Sequence, residues 1–187
     1  MTTGSPTFAR TLRPTSQGGF TLIELLIVVA MIAVLATIAF PILQRARITS
    51  NEGVAVASLR TIHSAQAAYA TACGAGGYAQ TLEDLAKKPP GNLVSFIMEP
   101  YSVNGVTVNG YVANVMSGAG ASTILSAADT CNASGADAVT SFVAERHPKQ
   151  LGSTGVRSFA VDTQGSMYMR QDGVAINNAL AGTTTFH

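Results

Sequence analysis

Few residues in this 187-residue chain could do chemistry. His63, His147 and His187 could act as acid–base groups or metal ligands, but two of the three would have to meet in space; each otherwise reads as a surface residue. Cys73 and Cys131 are an even pair with three readings: a disulfide, two free buried thiols, or part of a single-metal site without a nearby histidine. Asp162 and Asp172 could hold calcium, yet their spacing is not a recognised calcium loop, and Asp ahead of Thr163-Gln164-Gly165 favours a turn. Asn132-Ala133-Ser134 has the glycan-acceptor pattern, a short match that arises by chance. There is no Gly-x-Ser-x-Gly, no His-Glu-x-x-His and no phosphate-cradling glycine loop. The expectation is therefore a non-enzyme with no catalytic residues, no cofactor and no metal.

The residue with the strongest chemical demand is Glu24. From Phe20 to Phe40 the 21 residues hold 13 of Phe, Leu, Ile or Val and five Ala or Met; only Thr21, Glu24 and Thr37 are polar. Such a run is long enough to cross a bilayer as a helix. Thirteen large apolar residues at about 0.3 to 0.6 kcal/mol each favour insertion by about 4 to 8 kcal/mol, against about 3 for one acid at the centre. The segment inserts and Glu24 goes with it. The carboxylate either sits shallow at the interface or has a partner.

Gly19-Phe20-Thr21-Leu22-Ile23-Glu24 opening an apolar helix, behind a short leader with Arg10 and Arg13, resembles the processing site of type IV prepilins and type II secretion pseudopilins. The match runs from Gly19 to about Pro41. The resemblance implies that a prepilin peptidase cuts after Gly19 and that Phe20 becomes the N-methylated first residue. It also implies that Glu24 pairs with the Phe20 amine of a neighbouring subunit. In a medium of low dielectric constant that pair recovers its desolvation cost only in the correct register, so it would act as a registry device. An ordinary secretory signal carries its apolar region before the cut, the reverse of the order here. Arg10 and Arg13 are matched by Arg45 and Arg47 beyond the run, so orientation rests on the resemblance: leader in the cytoplasm, head on the periplasmic side of the inner membrane. The implied partners are copies of itself and related pilins, the peptidase, and the pilus or secretion assembly machinery. The rival reading is a single-span anchor carrying a binding domain that works as a monomer.

Losing Arg10 and Arg13 takes the formal charge from +1 to −1, which leaves no basic field for nucleic acid. About 150 residues remain outside leader and apolar run, enough for one modest core. On the oxidising side of a membrane the two cysteines favour a bridge joining the helix end to a later loop.

These groups must be positioned by a long helix and a small sheet. Pro41 removes one backbone donor, so a kink or local unwinding is expected there. Beyond it, Ala55, Leu59, Ile62, Gln66 and Tyr69 recur at spacings of four and three, one narrow stripe of an amphipathic helix that reaches Ala72. Gly53 is a soft spot, about 1 kcal/mol worse than Ala. Cys73-Gly74-Ala75-Gly76-Gly77 ends the helix, and Thr81 to Leu85 reads as a short helix capped by Thr81. The succession of Tyr69, the glycine turn, Tyr78 and Thr81-Leu82 is similar to the post-helix loop of many pilins and pseudopilins. Asn104-Gly105 and Asn109-Gly110 read as two hairpin turns. Strands are expected at 101–103, 106–108, 111–115, 139–147, 157–161 and 166–170, with a loop from Ser117 to Asp137 and a disordered tail after Ile176. The fold class is α+β: a long N-terminal helix packed on an antiparallel sheet of about four strands. The expected organisation is a leader at 1–19, the helix at 20–72 with its apolar half at 20–40, and a globular head at 73–187.

Overall fold

The structure, a computed structural model, describes residues 19–91 and 93–186. Most of the expected leader, with Arg10 and Arg13, lies outside the described residues, as does His187. Element order is α1 (Leu22–Ala72), α2 (Leu82–Ala86), β1 (Val106–Val108), β2 (Tyr111–Ser117), β3 (Thr123–Leu125), a 3-10 turn (Ala127–Asp129), β4 (Ala138–Val139), β5 (Phe142–Pro148), β6 (Ser158–Asp162), β7 (Met167–Arg170) and β8 (Thr184–Phe186). The class is α+β, a long helix on a small antiparallel sheet. By its contacts the chain divides into a unit ending at Pro41 and a second starting at Ile42.

In the first unit, the helix begins two residues later than expected because Thr21 caps it: its hydroxyl accepts a hydrogen bond from Glu24 N at 3.2 Å, meeting one of the orphan donors of a helix start. Local unwinding at Pro41 does not occur. α1 is helical on both sides of the proline, and the Thr37 hydroxyl, on the preceding turn, donates to Val34 O at 2.7 Å.

In the second unit, the expected stripe is buried throughout: Ala55, Leu59, Ile62, Gln66 and Tyr69 are all at 0% exposure. The buried face is wider than expected, since Glu52, Ser58, Ala65 and Ala70 join it. Gln66 is the polar member for a reason. Its carboxamide closes both ways on Ala79, accepting from the backbone N at 2.9 Å and donating to the O at 2.7 Å. That fastens the chain after the turn to the helix it has just left. The turn itself follows from close approach: a Cβ on Gly74 would lie 2.1 Å from Gly77 O. Next, Thr81 caps α2 by accepting from Asp84 N, and Leu82 and Leu85 go into the core.

The main sheet has six strands in the order β1-β2-β5-β6-β7-β8, all neighbours antiparallel, where about four were expected. Asn109 and Gly110 both take positive φ, 49° and 74°, between Val108 and Tyr111, which are paired. This is the two-residue hairpin that the dipeptide predicts. Asn104-Gly105 is not a second hairpin, because 101–103 forms no strand. Instead the Asn104 side chain brackets Val115, accepting from its N at 3.0 Å and donating to its O at 2.8 Å. The stretch from Ser117 to Asp137 is not one loop either; it supplies β3, which pairs with β4 in a separate two-stranded sheet, and the 3-10 turn.

The tail after Ile176 is ordered, contrary to expectation. Ile176 is buried against Val143 and Ala160 on the sheet face away from α1, and β8 then adds to β7, with Phe186 5.9 Å from Phe159 edge to face. An apolar anchor and an aromatic pair give the tail enough burial to offset its ordering entropy.

Candidate functional site

Gly19 and Phe20 lie ahead of the first helical turn, and Phe20 is 83% exposed. This stretch ahead of the helix is uncovered. Thr21 starts the helix, and Glu24 falls in its first turn, where a carboxylate also meets the positive end of the helix dipole. From Leu22 to Leu43 the large apolar side chains are all exposed. Among the described residues α1 alone is long and apolar enough to cross a membrane, and none of its most apolar window is buried. A face of this size is not stable in water; it calls for lipid or other helices.

Among the described residues, His63 and His147 do not come together. His63 lies 3.3 Å from Thr163 O, whereas His147 sits against the Glu145 carboxylate at 3.1 Å; the two are engaged by different partners. Among the described residues no group of three or more His, Cys, Asp or Glu could hold a metal ion. Asp162 is occupied in the turn, accepting from Gln164 N and Ser166 N at 2.9 Å and from the Tyr168 hydroxyl. The Asp172 carboxyl is held below its usual range, first by its hydrogen bond from Arg170 and then by the Val174 N–H. Asn132 is buried and donates to Asp84 O at 2.7 Å, so its amide is not open to a glycosyl group in the folded head. Cys73 and Cys131 are bridged, their Cα atoms 4.7 Å apart, tying the end of α1 to the segment after the 3-10 turn.

Sequence reasoning missed the buried charges. Glu52 accepts from Val156 N, Arg157 N and the Arg157 guanidinium. Its position three residues before Ala55 continues the stripe by one step, a signal that was present. Arg146 is fully buried: Nη1 donates to the Ser58 and Tyr101 hydroxyls, and Nη2 to Val108 O and Tyr111 O. The clue was parity, since Phe142, Ala144 and Arg146 alternate onto the face that meets α1. On the other face Glu145 is held by Asn114 and His147.

Residues 14–40 match the prokaryotic N-terminal methylation motif, the signature of type IV pilins and pseudopilins. Residues 71–187, more than half of the chain, match the family described as Protein of unknown function (DUF2950). The chain belongs to that family. No curated protein and no solved structure matches it. In this DUF2950 protein the family region starts at the last turn of α1 and takes in the whole sheet, while the methylation motif covers the junction, Glu24 and the apolar run up to Phe40. The two matches leave 41–70 between them, the stretch of α1 that carries the buried stripe.

Proposed function

We propose that this DUF2950 protein is a pilin-type structural subunit. A prepilin peptidase cuts between Gly19 and Phe20, Phe20 is methylated, and the apolar half of α1 holds the subunit in the inner membrane with its head on the periplasmic side. Subunits then leave the lipid by packing these helices together into a type IV pilus or a type II secretion pseudopilus. Glu24 takes the Phe20 amine of the next copy as its counter-charge, and Pro41 is the place where the helix bends in the filament.

The observation that carries this reading is the methylation motif placed at the exposed junction of a capped, uncovered apolar helix. The pairing follows from physics: an acid in an apolar bundle needs an opposite charge, and a new amine four residues upstream supplies one on each copy. The test is expression with a cognate peptidase, followed by mass spectrometry and electron microscopy of sheared material. Wild-type chains should begin at a methylated Phe20 and appear in fibres. Gly19→Val should keep Met1, and Glu24→Ala should be cut but not assembled. Fully functional monomers with an intact N-terminus would favour the simple anchor and overturn the proposal.

A further inference from the structure

Within the second unit, α1 and the C-terminal strands leave an open groove of about 500 Å³. Its walls are Val56 and Gly53 from α1 and Phe159, Met169 and Phe186 from β6, β7 and β8. Its charges are Glu52 and Arg157, which neutralise one another.

Gly53 is the informative residue. It sits inside a helix in an ordinary backbone conformation, and a Cβ added there meets nothing within 4 Å. Neither strain nor packing inside the subunit demands a glycine, while helix propensity argues against one. What a glycine does provide at such a point is a flat strip of backbone that another backbone can approach closely. The groove is thus open over the point where the helix has no side chain, with Val56 and Thr49 beside that strip and Phe159, Met169 and Phe186 across from it.

We infer that this groove receives the uncharged part of the apolar helix, 25–43, of a second copy of the chain. The occupant is argued from what each surface lacks. The segment from Leu25 to Leu43 has no charged residue and is uncovered along its length. The groove is apolar and its one ion pair is already satisfied, so docking an uncharged helix leaves no charge without a partner. Close approach to Gly53 suits a helix backbone flanked by Ala30, Ala33 and Ala36 better than a flexible chain. The inference rests on the filament reading and specifies which surface of the head a neighbour's helix touches.

The experiment uses the full chain expressed with its peptidase, scored by subunits in the sheared fibre fraction. Gly53→Leu should fill the groove and abolish fibre-borne subunits, while processing and the melting temperature of the head are retained or raised. Gly53→Ala, which adds one methyl group, should still assemble. In a second arm, copies carrying Gly53→Cys are mixed with copies carrying Ala33→Cys or Ala36→Cys and treated with a short bismaleimide. Cross-linked dimers in fibres are expected, and none from cells lacking assembly. If wild type and Gly53→Leu assemble equally, or no cross-link forms in intact fibres, the groove assignment is wrong while the filament stands. If wild type forms no fibres at all, the filament reading fails and this inference falls with it.

Discussion

Arg157 closes over Glu52 from the opposite end of the fold: Nε donates to the carboxylate at 2.9 Å, and a second guanidinium nitrogen joins it. One partner is on α1, the other just ahead of β6, 105 residues apart. The carboxylate is almost fully buried, whereas the guanidinium is 39% exposed. The two ends of the pair therefore respond differently to removal.

Arg157→Ala strands a buried carboxylate and should cost about 3 kcal/mol, the low end for breaking such a pair. For a chain of this size that corresponds to a fall in Tm of about 6 to 12 °C. Glu52→Gln leaves the guanidinium its access to water and should lose clearly less. Thermal melts of the two variants give the order, and a larger loss for Glu52→Gln would contradict it.

Gln66 predicts an asymmetric result. Gln66→Leu keeps the volume and apolar character of the stripe but leaves the Ala79 N–H and C=O unpaired in the core, which should cost about 2 to 3 kcal/mol. Gln66→Glu can still accept from Ala79 N but not donate, and it buries a charge, so it should be worse. Urea midpoints at constant m-value would check this, and a stabilised Gln66→Leu would refute it.

The Cys73–Cys131 bridge closes a loop spanning 58 residues, and the chain-entropy model assigns such a closure about 4 kcal/mol. The double Ser variant should melt lower by a comparable amount and become sensitive to proteolysis between β2 and β5, since apart from the bridge the segment around Cys131 is tied to α1 by the Tyr69–Ser134 hydrogen bond. Unchanged protease resistance with reducing agent present would show that packing alone holds it.

High pH should loosen the head. Burial, then the nearby Glu52 charge, pushes the Tyr111 hydroxyl well above the phenol range, and burial raises Tyr69 likewise. Both groups stay protonated in the fold while the unfolded chain ionises near pH 10. Below that pH the two states hold the same protons and stability is unaffected; above it the unfolded state holds fewer, so stability falls as pH rises. Denaturation curves at pH 8, 10 and 11 should show the decline, and Tyr111→Phe should flatten it. A slope unaltered by that substitution would exclude Tyr111 as its source.

The parts of this molecule written in local sequence were legible without coordinates. The methylation motif ahead of Phe40, the stripe from Ala55 to Tyr69 and the Asn109-Gly110 turn each depend on neighbours within a few residues. What depended on distant partners was not. Asn104-Gly105 has the same dipeptide signal as Asn109-Gly110, yet Val115 and Leu82 take its side chain. The burial of Arg146 could not be read locally, because its acceptors, Ser58, Val108 and Tyr111, lie 35 to 88 residues away. The tail after Ile176 is poor in apolar residues, and its order comes from two contacts, Ile176 on Val143 and Phe186 on Phe159, that composition does not reveal.

Both borders of the main sheet are only three residues long, β1 on one side and β8 on the other. A polymer of such subunits would crowd many heads together at a local concentration far above that of free protein, the situation in which bare sheet margins fuse. Borders this brief offer too few unpaired amides to nucleate that fusion, so the heads can be crowded while lateral cohesion is left to the helices.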